Sequence, residues 1–128
     1  MNAIDTNILI RYLTQDDVNQ GVVAKELIEN GEPVFLTHIV FIEAVWVLAT
    51  SYNLDRHTIA KVLHEVSNSG FFILEKTQII SKALQDYQNG FDFANMLMGY
   101  YGEGNGCNTT YTFDKQASKH VVFTLLSK

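Results

Sequence analysis

The sequence predicts an α/β fold with a mostly parallel sheet, because short extended segments alternate with longer helical segments along the chain. Its 128 residues are close to the commonest size of one domain, and 47% of them are apolar, which is enough for a hydrophobic core. We therefore expect a single domain over residues 1–128. The predicted strands are short and mostly apolar, and they cover residues 2–4, 33–37, 71–74, 109–113 and 121–126.

The predicted helices lie between these strands and follow the spacing of the apolar residues. The segment "NILIRYLT" predicts a helix over 7–14, and apolar residues recur at helical spacing in 17–31, where Gly31 ends the pattern. Thr37 and Asp55 are good N-cap residues for the next two helices. The remaining helices are predicted over 38–53, 54–70, 76–90 and 91–106, followed by a short polar turn or helix over 115–120.

Composition and charge restrict what the chain can bind. A formal net charge of −5 argues against one broad basic face for nucleic acid, so any contact with nucleic acid would be local, through a metal ion or a few basic residues. The single cysteine, Cys107, allows no disulfide within the chain and is typical of a reducing compartment. We see no signal peptide, and the apolar stretch around Glu43 is too short to span a bilayer. We therefore expect a cytoplasmic protein with no membrane partner.

Two acids directly follow predicted strands. Asp5 comes after the first strand, and Asp114 comes after "TTYTF". Because ligands of parallel sheets sit at the carboxyl ends of the strands, both acids are expected at the same functional edge. For Asp5 a simpler explanation is also open, since Asp5, Thr6 or Asn7 could each cap the first helix.

Two further acids lie at helices. Glu43 interrupts the apolar helix "FIEAVWVL", where a carboxylate is costly unless it is paired, protonated or bound to a cation. A position on one narrow solvated stripe, or a pairing with Lys or Arg, explains Glu43 equally well. Asp92 precedes a helix, and an N-cap is its best explanation when it is taken alone. Asn95 follows three residues later, so its side chain can reach the same edge.

The four acids together indicate a metal site more strongly than any one of them. If Asp5, Glu43, Asp92 and Asp114 converge, they form a negative pocket that suits a hard divalent cation with oxygen ligands, Mg²⁺ or Mn²⁺. One or two such ions can activate water and stabilise the leaving oxygen in phosphodiester cleavage. The ions would also bridge an acidic protein to a phosphate backbone.

Three segments carry a resemblance to a known family: "AIDTNILIRYL", "THIVFIEAVWVLATSYNLDR" and "DFANMLMGYYGEGNGCNTTYTFDKQASK". They resemble the PIN-domain ribonucleases, and most of all the VapC toxins of bacterial toxin–antitoxin pairs. The segments occur in the family's order, and the resemblance extends over nearly the whole chain. The resemblance implies an α/β/α sandwich around a parallel sheet, and Mg²⁺- or Mn²⁺-dependent cleavage of RNA. It also implies a homodimer and a small antitoxin partner.

The resemblance also implies roles for individual residues. Asp5 corresponds to the first metal ligand, Thr6 and Asn7 orient it and the first helix, Glu43 is the second acid and Asp114 is the last. The chain departs from the family in "DFANML", where the family usually has "DFADAL".

This departure puts Asn95 in the place of an expected Asp. An amide oxygen can ligate Mg²⁺, but it carries no charge and cannot act as a base. Asp92, the first Asp of the same string, could substitute as ligand and catalytic acid. A second hypothesis is therefore a catalytically weakened PIN-fold module that binds RNA or an antitoxin. A third is a structural α/β domain whose acids are helix caps.

Basic and aromatic residues are weaker candidates for contacts with RNA. Arg11 lies on the first helix just after Asp5 and could contact a phosphate, although a surface salt bridge explains it slightly better. Tyr100 and Tyr101 could stack on bases, and packing explains them at least as well.

Overall fold

The computed structural model describes residues 1–127 and divides the chain into two compact units, Met1–Thr77 and the segment that begins at Gln78. The first unit contains β1 (Asn2–Ala3), α1 (Thr6–Thr14), α2 (Val18–Asn30), β2 (Val34–Leu36), α3 (His38–Thr50), α4 (Arg56–Asn68) and β3 (Phe72–Leu74). The division falls after the first residue of α5 (Thr77–Gln88). The second unit continues with α6 (Phe93–Gly104), β4 (Thr110–Thr112), a 3₁₀ turn (Ala117–Lys119) and β5 (Phe123–Leu125).

The α/β class is confirmed, with six α-helices and parallel strands within residues 1–127. Every predicted strand and helix is present, and the polar segment after β4 forms the 3₁₀ turn. The strands are shorter than the apolar segments that predict them, because only two or three residues of each are paired in a sheet.

The first unit is built on a parallel sheet in the order β1-β2-β3. Asn2 pairs with Val34, and Phe35 pairs with Ile73. Helix α1 packs against α2 and α3, and α4 packs against α3 and β3. The largest fully buried side chains of this unit are apolar residues that recur at helical spacing or point inward from β2: Leu9, Ile28, Val34, Leu36, Phe41, Leu48, Ile59 and Leu63.

Side-chain caps begin five of the helices. The first N–H groups of an α-helix have no partner inside the helix, and a side-chain oxygen at the N-cap supplies one. Each cap accepts from the backbone N–H three residues later. The capping residues are Asp5, Asp17, Thr37, Asp55 and Asp92.

His38, the first residue of α3, is buried at the carboxyl end of β2. Its backbone N–H donates to Glu75 at 3.4 Å, and its Nδ1 lies 4.0 Å from the same carboxylate. Burial lowers the pKa of His38 below its ordinary value of 6.5, and this effect outweighs the opposing one of Glu75. The folded state therefore favours the neutral ring.

The second unit has a parallel pair of strands, in which Thr110 pairs with Phe123 and Thr112 with Leu125. Helix α6 packs closely on this pair, and Gly99 makes the close approach possible. A Cβ at Gly99 would lie 2.6 Å from Val122 Cγ2 and 2.9 Å from the Phe123 ring. Both of these side chains are buried, so little room exists for them to move.

A polar cluster joins α5, α6 and the start of β5. The Tyr100 hydroxyl donates to Asp86, and Nε2 of His120 lies 3.0 Å from Tyr100 and 3.1 Å from Asp86. Nδ1 of His120 accepts the Val122 N–H at 3.2 Å, so the proton of the neutral ring lies on Nε2. Burial, together with the bond to Asp86, raises the pKa of Tyr100 well above its usual value of 10.

Among the described residues, no helix is long and apolar enough to cross a membrane.

We expect Gly99→Ala to destabilise the protein, because overpacking at Val122 and Phe123 costs about 1–3 kcal/mol and exceeds the gain in helix propensity. Urea unfolding followed by circular dichroism measures the change. Gly104→Ala is the matched control, since no atom lies within 4 Å of the added Cβ there. Its free energy of unfolding should be unchanged or slightly higher. Equal stability of the two variants would contradict the close packing of α6 on β5.

We also expect the free energy of unfolding to fall as the pH is lowered from 7.5 to 5.5. The unfolded chain protonates His38 near pH 6.5, whereas burial lowers the pKa of this ring in the folded state, so protons bind the unfolded chain more readily and favour unfolding. Urea titrations at both pH values should show a smaller loss in His38→Gln than in the wild type. An equal loss in wild type and His38→Gln would show that His38 does not contribute.

Candidate metal and RNA-cleavage site

Asp5 lies at the carboxyl end of β1 and is also the N-cap of α1. Its Oδ1 accepts the backbone N–H of Ile8 at 3.1 Å. The capping explanation is therefore correct for one oxygen of the carboxylate. Among the hydrogen bonds within residues 1–127, none occupies the other oxygen, Oδ2. The capping bond fixes the orientation of the carboxylate and leaves one oxygen for a ligand.

Glu43 is held against the start of α1 by Thr6. The Thr6 hydroxyl donates to Oε1 of Glu43 at 2.6 Å, which joins the first turn of α1 to the middle of α3. Thr6 follows Asp5 directly in the chain, so Glu43 is bound to the residue next to the other predicted acid of the first unit. Asn7 is exposed one residue further along α1.

Of the explanations that the sequence left open for Glu43, the position on a solvated stripe agrees with the structure. Four exposed residues lie at helical spacing on one face of α3: Ile39, Glu43, Trp46 and Thr50. Glu43 is thus on a solvated stripe, and its carboxylate needs no buried counter-charge. The sequence could not decide between the explanations, because two of the four exposed residues are apolar.

Asp92 and Asn95 open helix α6 in the second unit. Asp92 is the N-cap, and its Oδ2 accepts the backbone N–H of Asn95 at 2.9 Å. Asp92 is exposed and Asn95 is half-buried. The two side chains therefore share the first turn of one helix, where the unpaired N–H groups favour negative charge.

Asp114 lies just beyond β4 and shapes the turn that follows. Its Oδ1 accepts the N–H groups of Gln116 and Ala117, at 2.8 and 3.2 Å. Its own N–H donates to the Thr112 hydroxyl at 3.0 Å. As with Asp5, one carboxylate oxygen organises the backbone, and no hydrogen bond in the described part of the chain occupies the other.

The predicted residues of the second unit lie at one end of it. Helix α6 and β4 pack together and are joined by only five residues, 105–109, so they run in opposite directions. A Cβ at Gly102, late in α6, would approach Thr110 at the start of β4. The beginning of α6, with Asp92 and Asn95, is therefore at the same end as Asp114.

Arg11 lies in a cavity of about 400 Å³ between α1 and α2 that Asp5 and Asn7 also line. Its guanidinium donates to Asp16 at 3.1 Å and to Gln20 at 2.7 Å. Asp16 also accepts from Tyr52, and this bond is the main reason that its pKa is lowered. The salt bridge weighed for Arg11 is thus present, and a phosphate would have to compete with Asp16 for the guanidinium.

Glu75 was not predicted, although it obeys the same rule as Asp5. It follows β3 directly, at the carboxyl end of a parallel strand, and accepts from the first N–H of α3. The strand-end position was the signal that could have identified it. Tyr100, in contrast, was weighed as a base-stacking residue, and the structure instead places it in the cluster with Asp86 and His120.

The donor chemistry of the predicted acids suits a hard cation, since each offers a carboxylate and Asn95 adds an amide oxygen. Within either unit taken by itself, and for residues 1–127, no three His, Cys, Asp or Glu side chains are grouped closely enough to hold a metal ion. In the first unit Glu43 is bonded to Thr6, the residue after Asp5, and the second unit brings Asp92, Asn95 and Asp114 to one end.

Comparison with known proteins supports a family assignment. The VapC ribonuclease of Aquifex aeolicus (strain VF5) is 28% identical over 123 residues, which cover 93% of this chain and 91% of that protein. The family model described as PIN domain matches residues 3–92, a segment that includes Asp5, Glu43 and Asp92 and ends before Asn95. The chain therefore belongs to the PIN domain family.

Proposed function

We propose that the protein is a metal-dependent endoribonuclease of the toxin–antitoxin type that cleaves phosphodiester bonds in RNA. The observation that carries this proposal is the hydrogen bond from Thr6 to Glu43, which brings Glu43 to the residue that follows Asp5 at the carboxyl end of β1, in a chain of the PIN family. The similarity to a protein named VapC ribonuclease supports the choice of RNA as substrate.

The proposed site uses Asp5, Asp92 and Asp114 as metal ligands and acids, with Glu43 as a further catalytic acid and Asn95 as a neutral ligand. A bound Mg²⁺ or Mn²⁺ would supply an activated water and would offset negative charge at the cleaved phosphate. The protein would position the carboxylate oxygens before the metal ion binds. Asp5 and Asp114 do so through backbone N–H groups.

Thr6 has a positioning role in this proposal. Its hydroxyl holds Oε1 of Glu43 at 2.6 Å and so restrains an exposed side chain that would otherwise rotate freely. Glu43 can then accept a proton or a hydrogen bond through its second oxygen. Asn7 lies beside Asp5 on α1, and Arg11 offers a phosphate contact once it leaves Asp16.

A second candidate function rests on Asn95. Replacing a carboxylate by an amide removes one negative charge from the proposed ligand set, which lowers its affinity for a divalent cation. A chain weakened in this way would bind RNA or an antitoxin without turnover. The two candidate functions differ only in whether the site binds the metal ion tightly enough for RNA cleavage.

The proposal includes the setting that the resemblance implies. The chain would form a single PIN-like domain over residues 1–128, arranged as an α/β/α sandwich around a parallel sheet. It would act in the cytoplasm as a homodimer and be inhibited by a small antitoxin protein.

We expect Asp5→Asn to lower Mn²⁺-dependent cleavage of single-stranded RNA at least about 100-fold, since it removes a ligand charge. Stability should be unchanged, because Asn is as good an N-cap as Asp. The control is Asp55→Asn, an N-cap with a similar bond, 2.7 Å from Oδ1 to the Thr58 N–H, but at no strand end. Its cleavage rate should equal that of the wild type.

Initial rates on a labelled oligoribonucleotide measure the effect, with EDTA expected to abolish cleavage in every active variant. Equal loss of activity in Asp5→Asn and Asp55→Asn would mean that Asp5 acts only as a cap. Urea unfolding of each variant shows whether a loss of rate is a loss of fold.

We expect Asn95→Asp to raise cleavage about 10-fold or more, because it restores a charged ligand at the start of α6. The new carboxylate lies in the first turn of a helix, where negative charge is favourable, so the fold should tolerate it. Gln78→Glu, in the first turn of α5, makes the same change of charge and should leave the rate unchanged.

Inactive wild type with active Asn95→Asp would favour the binding-module candidate. If both proteins leave RNA intact with Mn²⁺ or Mg²⁺, the nuclease proposal is wrong.

A further inference from the structure

One face of the β4–β5 pair exposes aromatic rings. Tyr111 is 66% exposed and Phe113 is 72% exposed, although aromatic side chains in and beside strands usually pack in a core. Thr110 and Thr112, the alternate residues of β4, are half-buried. Tyr111 lies within β4 and Phe113 directly follows its last residue, so two exposed rings lie two residues apart at the end of this strand.

The neighbouring strand continues this face. Tyr111 pairs with Thr124 in parallel register, and the Leu126 N–H donates to the Thr112 carbonyl at 2.7 Å, which extends the pairing beyond β5. Thr124 and Leu126 are exposed. We name Tyr111, Phe113, Thr124 and Leu126 the aromatic face.

The aromatic face adjoins both a proposed catalytic acid and positive charge. Asp114 follows Phe113 directly, and Lys115 and Lys119 are exposed in the turn that Asp114 organises. Residues 107–127 contain these two lysines and a single acid, although the whole chain has a net charge of −5. This segment therefore suits a polyanion better than the rest of the chain does.

The spacing of the two rings suits consecutive bases of a single strand. Two residues apart, the Cα atoms of Tyr111 and Phe113 are separated by up to about 7 Å, roughly twice the 3.4 Å rise between stacked nucleotides. Each ring can carry one base of a partly unstacked strand. The Tyr111 hydroxyl and the Thr124 hydroxyl, which lies 2.6 Å from that of Thr109, add hydrogen-bonding groups at the edge.

We infer that the aromatic face is a base-stacking platform for single-stranded RNA, with Lys115 and Lys119 on the phosphates. The inference deepens the proposed function, because it assigns the part of the substrate bound beside Asp114. Stacking on aromatic rings is tolerant of sequence, since every base has a flat face, so the platform orients the strand without selecting one base.

Binding of a fluorescein-labelled 12-nucleotide single-stranded RNA, measured by anisotropy in EDTA and low salt, tests the platform without cleavage. Tyr111→Ala and Phe113→Ala should each weaken binding about 5- to 150-fold. Phe113→Trp should bind within about threefold of wild type because the ring is retained, whereas Phe113→Leu should resemble Phe113→Ala.

Further measurements separate base stacking from nonspecific binding. Val121→Ala removes a side chain that is 90% exposed in the same unit and should bind like wild type. Lys115→Gln should weaken binding and reduce the dependence of log K on log salt by roughly 0.7. An RNA duplex of the same length should compete poorly, because its bases are already stacked.

The platform proposal is wrong if the wild type does not bind the RNA in EDTA. It is equally wrong if Tyr111→Ala and Phe113→Ala both bind the RNA with wild-type affinity. It is also wrong if Phe113→Leu retains wild-type affinity, because an apolar contact would then be sufficient. Light scattering identifies a further contradiction: if Phe113→Ala changes only the oligomeric state, the face contacts a second copy of the chain.

Cleavage assays distinguish failure of the platform proposal from failure of the proposed nuclease function. Ring-dependent binding without cleavage by the wild type in Mn²⁺ would support the platform and overturn the nuclease. Cleavage with an unchanged KM in Tyr111→Ala and Phe113→Ala would support the nuclease and overturn the platform.

Discussion

The hydrogen bond from the Ile8 N–H to the Asp5 carboxylate begins the first helix, and similar bonds begin four others. A helix that starts directly after a parallel strand must find its capping oxygen at the carboxyl end of that strand. This requirement places a polar side chain at the edge where α/β proteins bind ligands. Asp5 satisfies it with one oxygen, so its structural and chemical uses do not compete. The cap that Asp5 forms is therefore compatible with the ligand role proposed for it.

The elements were predictable because each depends on local pattern. The spacing of apolar residues and short apolar runs predict helices and strands from a few neighbouring residues. Cap residues such as Thr37 and Asp55 likewise mark the start of a helix from the sequence next to it. The strand-end rule also placed Asp5 and Asp114 correctly relative to their strands. The resemblance to PIN proteins agreed with the family match over residues 3–92.

Features that join distant residues, or that depend on which apolar side chains stay exposed, were not predictable. The Thr6–Glu43 bond joins residues 37 positions apart, and nothing in either segment marks the partner. The solvated stripe of α3 contains Ile39 and Trp46, so hydropathy makes it look buried. The same difficulty hides Tyr111 and Phe113, whose alternation is typical of a packed strand. Tyr100, which was weighed for stacking, instead binds Asp86 and His120.

The parallel register of β1, β2 and β3 has a consequence for folding during synthesis of the chain on the ribosome. Asn2 pairs with Val34 and Phe35 pairs with Ile73, so β1 has no sheet neighbour until more than thirty further residues have been made. At ribosomal rates of about 5–20 residues per second, that interval is roughly 2–6 s. Helices α1 and α2 need only local contacts and can form during it, whereas the two-residue strand β1 cannot be held by its own hydrogen bonds. On the growing chain, Asp5 can therefore cap α1 before β1 is paired in the sheet.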